Sequence, residues 1–317
     1  MSRLKSKDIY GIWAGITMCW DESFGFDEEN YVKNTEAMCR ESVHGIYTTG
    51  STGEFYALDF DEFKRMVDIQ VGICGRIKMP LQIGCCSDNT RATIRLMEYC
   101  AGKKQVGACQ VNLPYWMELN DREVLQFFKD LYKACPDMPL VHYNIPRAKR
   151  FLNGNDYKII LEIAPSLVGV KYTFAGSNFG ALQTALSLTP QLSYFVAENL
   201  LASAAMLGAK GSCSSLIATN PSFMLKMYGH IKNRHWEQAI AMQQTANNFF
   251  NDCAEFVVGL GEGTADPVFD KGLGVASGCL KGSQRTRPPY IGWKNETIKK
   301  LRVWLKSNYP QFLYRSN

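Results

Sequence analysis

At residues 167–173 the chain reads Leu-Val-Gly-Val-Lys-Tyr-Thr, an apolar run that leads directly to a basic residue. Such a run is typical of a buried strand in a parallel sheet, and its end would deliver the amine of Lys171 into a pocket. Desolvation in a pocket disfavours the ammonium form, so the amine can act as a nucleophile near neutral pH. The stretch therefore predicts a strand that ends in a reactive lysine.

Two further apolar runs upstream end in polar side chains. Residues 139–146 read Pro-Leu-Val-His-Tyr-Asn-Ile-Pro and bring the phenol of Tyr143 to a strand end. Residues 44–54 end in a glycine-flanked turn that carries the hydroxyls of Ser51 and Thr52. An amine, a phenol and two hydroxyls at three strand ends suggest Schiff-base chemistry on a 2-oxo acid.

Eight short apolar runs recur along the chain and alternate with amphipathic stretches, several of which start with an Asp or Asn suited to helix capping. This alternation predicts an α/β fold, a TIM (β/α)8 barrel over residues 1–220. Reacting groups of such barrels lie at the carboxyl ends of the strands, where the polar residues above are placed. The strand candidates begin near Ile12, Gly45, Leu81, Ala108, Leu140, Val168, Leu192 and Lys210.

From Pro221 onward the pattern becomes helical, with apolar residues at three- and four-residue spacing from His230 to Glu255 and from Asn295 to Ser307. No linker rich in Gly, Ser or Pro separates this part from the rest. We therefore expect residues 221–317 to form a helical extension packed on the barrel within a single structural unit.

Composition narrows the function classes. The chain has 317 residues, of which 46% are hydrophobic and 21% charged, and a net charge of +5 that is spread along its length. This argues against a disordered protein and against a nucleic-acid partner. The eleven cysteines form no Cys-x-x-Cys pair and are interpreted as reduced thiols. We expect no metal, no cofactor, no membrane span and a cytoplasmic location.

Three motifs resemble, in order and spacing, those of the dihydrodipicolinate synthase and N-acetylneuraminate lyase superfamily of class I pyruvate-dependent aldolases. They read Gly-Ser-Thr-Gly-Glu at 50–54, Tyr-Asn-Ile-Pro at 143–146 and Gly-Val-Lys-Tyr-Thr at 169–173. Together they look closer to the N-acetylneuraminate lyase branch. The resemblance extends from about residue 8 to residue 305 and implies a homo-oligomer, a tetramer or a dimer.

The resemblance also implies roles for individual residues. Lys171 matches the lysine that condenses with the substrate, and Tyr143 the tyrosine that shuttles protons. Ser51 and Thr52 match the groups that hold the substrate carboxylate in a small anion nest. Further substrate contacts are expected at Thr173, Glu198, Cys213 and Ser215.

Departures from the family pattern bear on the substrate. Dihydrodipicolinate synthases carry an arginine two residues after the proline of Tyr-Asn-x-Pro, where this chain has Ala148. This argues against lysine biosynthesis unless Arg147 substitutes from the neighbouring position. Trp116 stands where the family often has a tyrosine donated across a subunit interface. In Ala197-Glu198-Asn199, one carboxylate of the lyase branch's acidic pair is replaced by an amide.

The function that follows is a lyase that forms an imine between Lys171 and a 2-oxo acid and releases pyruvate and an aldehyde. A hydroxylated 2-oxo-3-deoxy sugar acid or a sialic-acid-like compound is the expected substrate. The alternative is a dehydratase of a 2-oxo-3-deoxy sugar acid that works through the same imine. Less favoured are a 4-hydroxy-tetrahydrodipicolinate synthase and a non-catalytic protein that binds 2-oxo acids.

Overall fold

The computed structural model describes residues 3–173 and 179–315. Eight parallel strands follow one another around a closed barrel, in which β1 also pairs with β8. The predicted TIM barrel and its eight strands are thereby confirmed. The strands are β1 Gly11–Ile16, β2 Gly45–Thr48, β3 Leu81–Gly84, β4 Ala108–Val111, β5 Leu140–Asn144, β6 Leu167–Tyr172, β7 Ser193–Val196 and β8 Gly211–Ser214.

A helix follows each strand and packs outside the barrel. Asp59, Asn89, Asn120 and Asn153 each accept a backbone N–H at the start of a helix. Only Asn89 stands where the sequence predicts the start of a helical stretch; the predicted starts at Asp61, Asp121 and Asp156 lie within the first turns. These helices are α1 Glu28–Arg40, α2 Phe60–Ile77, α3 Thr90–Ala101, α4 Asp121–Ala134, α5 Gly154–Ile163, α6 Phe179–Leu188, α7 Leu201–Met206 and α8 Pro221–Lys232.

Two apolar layers hold the barrel together. The larger lies between the strands and the surrounding helices, while the smaller fills the barrel interior around Trp13, Tyr47 and Phe195. The Trp13 and Phe195 rings meet edge to face with centroids 6.2 Å apart. The interior is therefore a packed core, and functional groups are confined to its mouth.

Three more helices follow: α9 Trp236–Gly259, α10 Asp266–Ser277 and α11 Asn295–Asn308. The predicted continuous helix from His230 to Glu255 is wrong, because the chain turns between α8 and α9, with Arg234 at a φ of 58°. The sequence reasoning also missed α10. Helix α8 follows β8 and completes the eighth strand–helix unit of the barrel. The predicted boundary between residues 220 and 221 therefore lies inside that unit. The division into barrel and extension stays a prediction.

The C-terminal helices are joined to the barrel mouth by a buried ion pair between Lys271 of α10 and Glu54 of the loop after β2. The side chain of Lys271 is 1% exposed and that of Glu54 is fully enclosed. Lys271 also donates to the carbonyl oxygen of Arg285. Among the described helices, none combines the length and the apolar composition that a membrane crossing requires.

Candidate active site

Lys171 and Tyr143 lie side by side at the carboxyl ends of neighbouring strands. The register of β5 and β6 pairs the two residues, and the Lys171 Nζ lies 4.1 Å from the centroid of the Tyr143 ring. From β2, the hydroxyl oxygen of Tyr47 accepts a hydrogen bond from this Nζ at 3.5 Å. Lys171 is 7% exposed, so its amine is buried among two phenol rings.

The charge of the Lys171 amine depends on these phenols. Burial lowers the pKa of Lys171, whereas negative charge on Tyr143, Tyr47 or Cys213 would raise it. Burial also raises the pKa of Tyr47 and takes the pKa of Cys213 to about 12, so both are neutral near pH 7. With Tyr47 and Cys213 uncharged, desolvation favours the neutral, nucleophilic amine.

The loop after β2 carries the predicted hydroxyl pair and is rigidly held. Glu54 has a φ of 48° and its carboxylate accepts hydrogen bonds from the Trp20 Nε1 at 3.0 Å and the Arg287 N–H at 3.1 Å. A side chain at Gly53 would bring a Cβ within 2.6 Å of the Thr49 nitrogen, so the tight turn requires glycine there. Glu54 therefore anchors the turn that presents Ser51 and Thr52.

The two hydroxyls of this loop have different partners. The Ser51 Oγ lies 3.3 Å from the Tyr143 hydroxyl, within reach for proton exchange. The Thr52 Oγ1 lies 2.7 Å from the Oδ2 of Asp270, a residue of α10. Ser51 thus belongs to the cluster around Lys171, and Thr52 connects that cluster to the C-terminal helices.

A cavity of about 430 Å³ opens above Ser51 and Tyr143. Lys171 does not line it, but its Nζ lies 4.1 Å from the centroid of the Tyr143 ring, which does. Arg147 reaches the cavity from the segment after β5, with its Nη1 3.3 Å from the Ser51 Oγ and 2.6 Å from the Asp266 Oδ2. Four further aromatic residues line the cavity: Phe55, Tyr56, Tyr115 and Tyr290.

The other predicted contacts are less available to a ligand. The Glu198 Oε1 accepts N–H groups of Ser215 and Leu216 at 3.1 and 2.9 Å, which ties it to the segment after β8. The Thr173 hydroxyl donates to the carbonyl oxygen of Asn144 at 3.0 Å. Cys213 lies in the barrel interior close to Lys171. All four substrate contacts, including Ser215, stay predictions.

Two residues of the site escaped the sequence reasoning. Tyr47 lies within the second predicted strand, where the sequence motifs assign it no role, although alternation along β2 places its side chain inside the barrel. Asp270 lies on the helix that was not predicted. The Asp-Pro pair at 266–267 is a start signal for a helix, and Asp270 follows one turn later on the same face.

Among the described residues, one group of side chains has the spacing of a metal site: the sulfur atoms of Cys85, Cys100 and Cys109 lie within 4.8 Å of one another. All three belong to the apolar layer between strands and helices rather than to the barrel mouth. Burial raises the pKa of Cys85 and of Cys109 well above the usual value, which favours thiols over the thiolates that a metal needs.

Two neighbouring aromatic residues in the segment after β4, Tyr115 and Trp116, differ in their exposure to solvent. Tyr115 contributes to the cavity wall, whereas Trp116 is 77% exposed on the surface of this chain. Trp116 therefore makes no contribution to the site of its own subunit. The predicted homo-oligomer stays a prediction.

Comparison with known proteins agrees with this geometry. The model of the Dihydrodipicolinate synthetase family matches residues 8–262. A 4-hydroxy-tetrahydrodipicolinate synthase of Ehrlichia canis (strain Jake) is 27% identical over 251 residues, which cover 78% of this chain and 80% of the relative. An N-acetylneuraminate lyase of Clostridium perfringens (strain SM101 / Type A) is 23% identical over 251 residues, 76% of this chain and 83% of the relative.

A solved structure has the same fold over nearly the whole chain. YagE of E. coli K12, a prophage protein of the dihydrodipicolinic acid synthase family in complex with pyruvate, superimposes with a TM-score of 0.83. The superposition covers 94% of this chain and 98% of YagE at 18% sequence identity.

Proposed function

Because the chain belongs to the dihydrodipicolinate synthetase family, whose enzymes are Schiff-base, pyruvate-dependent lyases and aldolases, we propose that its own active site is the one built around Lys171. The observation that supports this assignment is the buried Lys171 amine, 4.1 Å from the Tyr143 ring centroid, with Ser51 3.3 Å from the Tyr143 hydroxyl. Amine, phenol and hydroxyl are thus brought together at the barrel mouth.

In the proposed reaction the neutral Lys171 amine attacks the 2-oxo carbon and forms an imine with loss of water. The imine takes up a proton from solvent. Tyr143 then accepts the proton of the substrate's C4 hydroxyl while it passes its own phenol proton through the Ser51 hydroxyl, 3.3 Å away, to solvent, and the bond between C3 and C4 breaks. The electron pair of that bond moves into the protonated imine, which becomes an enamine, while C4 leaves as an aldehyde. A proton then returns to C3, and water releases pyruvate and the free amine.

We propose a hydroxylated 2-oxo-3-deoxy acid as substrate, a sugar acid or a sialic-acid-like compound. Its carboxylate would lie at Ser51 and Thr52, and its hydroxyl-bearing tail would extend into the cavity of about 430 Å³. The residues that line this cavity include Tyr115 and Arg147, whose polar groups would bind the hydroxyls of the tail, and aromatic rings that would pack on its C–H groups.

Borohydride reduction in the presence of pyruvate tests the imine. We expect a stable adduct that peptide mass spectrometry places on Lys171, and no adduct in Lys171→Ala. Lys210→Ala is the matched control, because Lys210 is an exposed lysine directly before β8, at the opposite end of the barrel, and its removal leaves adduct formation intact. Native protein that forms no adduct under these conditions disproves the proposal.

The position of Arg147 favours a second candidate function. Its guanidinium reaches the cavity although it stands one residue before the position that the family pattern gives to arginine. It could therefore bind a second substrate carboxylate, as a 4-hydroxy-tetrahydrodipicolinate synthase requires. Two assays decide between the candidates. The first measures pyruvate release and dehydrated product from a panel of 2-oxo-3-deoxy hexonates, pentonates and sialic acids. The second measures the condensation of pyruvate with aspartate semialdehyde.

A further inference from the structure

Helix α10 brings an additional carboxyl group into the barrel mouth. Asp270 is 4% exposed, and its Oδ2 lies 2.7 Å from the hydroxyl oxygen of Thr52. Asp270 is not used in the reaction described above. The neighbouring Lys271 does not neutralise it, because that ammonium is paired with Glu54 and the carbonyl oxygen of Arg285.

Charged and titratable groups surround Asp270 from four elements. Asp266 lies one turn earlier on α10, and Glu198 follows β7, while Lys171 on β6 and Tyr47 on β2 interact with Asp270 electrostatically. Burial, with the negative charges of Asp266 and Glu198, raises the pKa of Asp270 well above its usual range. The hydrogen bond from Thr52 and the charge of Lys171 act in the opposite direction but do not cancel the increase.

The contact between Asp270 and Thr52 creates a conflict for an anionic substrate. An ionised Asp270 accepts the Thr52 hydroxyl proton, so this proton is no longer available to a substrate carboxylate. It also places a second negative charge beside that carboxylate in a buried site, where like charges repel strongly. A neutral Asp270 removes both obstacles.

We propose that Asp270 is a positioning residue of the carboxylate site and must be protonated for Thr52 to hold an anionic substrate. This inference rests on the proposed function, which places the substrate carboxylate at Thr52. The neutral carboxyl donates its O–H to the Thr52 Oγ1, and Thr52 donates its own O–H to the substrate. A separation of 2.7 Å suits a hydrogen bond in either direction. Binding therefore takes up one proton wherever Asp270 is ionised in the free protein.

The test compares the pH dependence of pyruvate binding by the native protein and by Asp270→Asn. Dissociation constants are measured calorimetrically between pH 5 and 10, with proton uptake obtained from buffers of different ionisation enthalpy. The amide of the variant donates to Thr52 at every pH and carries no charge. Above the pKa of Asp270, native affinity should fall about tenfold more per pH unit than that of the variant. Because Asp270 and Lys171 interact electrostatically, the comparison is repeated in a Lys171→Met background, where no amine titrates at this position.

Two further measurements, with an uncharged ligand and with a substitution at Asp266, distinguish an electrostatic role of Asp270 from a structural one. With pyruvamide, which lacks the carboxylate charge, the pH-dependent gap between the native protein and Asp270→Asn should shrink, because only the loss of the Thr52 donor remains. Asp266→Asn removes a negative neighbour and should shift the native transition to lower pH without abolishing it. A gap as large with pyruvamide as with pyruvate overturns the electrostatic explanation.

Parallel pH profiles for native protein and Asp270→Asn, with equal proton uptake, overturn the inference. That result is distinguishable from failure of the proposed function, because borohydride would still trap pyruvate on Lys171. If no adduct forms on Lys171 in the native protein, the proposed function fails first. If Asp270→Asn does not fold, Asp270→Ser, which carries no titratable charge, is compared instead, and it must remove the same proton uptake.

Discussion

The Lys171 amine lies over the face of the Tyr143 ring, with its Nζ 4.1 Å from the ring centroid. The two residues are paired in register on β6 and β5, so the sheet itself sets their separation. The face of a phenol ring attracts a cation, while burial disfavours one, so the two effects on the charge of the amine oppose each other.

Replacing Tyr143 by Phe should separate proton transfer from imine formation. The ring that packs on Lys171 is kept, but the hydroxyl 3.3 Å from the Ser51 Oγ is lost. We expect kcat for pyruvate release to fall by about 10²- to 10⁴-fold, while borohydride still traps the pyruvate adduct on Lys171. A kcat within about tenfold of the native value would show that Tyr143 is not the proton carrier.

Ser51→Ala should act through Tyr143. The variant loses the contact with the Tyr143 hydroxyl and the contact of 3.3 Å with the Arg147 Nη1. If Ser51 and Tyr143 work as a unit, the double variant with Tyr143→Phe should have the same kcat as Tyr143→Phe alone. Ser51→Thr keeps the hydroxyl and is the control that should restore most of the activity. Additive losses in the double variant contradict the coupling.

Lys271→Met should destabilise the protein strongly. Among residues 3–173 and 179–315, the substitution leaves the buried Glu54 carboxylate with the neutral N–H groups of Trp20 and Arg287 as its hydrogen-bond donors. Removing one member of a buried ion pair costs about 3–5 kcal/mol of the free energy of unfolding, measured by chemical denaturation.

The control for this prediction is an exposed ion pair. Lys300 and Glu296 lie 2.8 Å apart on α11 with side chains that are 52% and 73% exposed. Lys300→Ala should leave the denaturation midpoint unchanged, because water solvates the remaining carboxylate. If Lys271→Met and Lys300→Ala lowered the free energy of unfolding by equal amounts, the buried ion pair would contribute no more to stability than the exposed one, and the prediction would be wrong.

His142 should make stability depend on pH. Burial lowers the pKa of His142 from 6.5 to about 3, and its Nδ1 lies 2.8 Å from the Tyr157 hydroxyl. Between these pH values the unfolded chain binds a proton that the folded chain does not, so stability decreases as the pH falls. From pH 6.5 to about 5, the free energy of unfolding should decrease by about 2 kcal/mol through this residue.

Denaturant titrations at several pH values measure this slope. His142→Gln should reduce it by the amount that His142 contributes. His235→Gln is the matched control, because His235 is exposed directly before α9, and this variant should keep the native slope. An unchanged slope in His142→Gln would contradict the prediction.

The sequence by itself determined the barrel and the placement of Lys171, Tyr143 and Ser51. Apolar runs alternating with amphipathic helices allow few arrangements other than parallel strands. In a parallel barrel the carboxyl ends of all strands meet at one end, so residues that are far apart in sequence but stand at strand ends become neighbours. Local patterns were therefore sufficient for this part of the site.

Only the tertiary structure decided which groups complete the site. Thr52 and Asp270 are 218 positions apart, and the ion pair of Glu54 with Lys271 spans 217. These contacts depend on how α10 packs across the barrel mouth, and no local periodicity encodes that packing. The charge of the Lys171 amine has the same origin, because it depends on the burial of this amine among Tyr47, Tyr143 and Cys213, which other strands bring to its side.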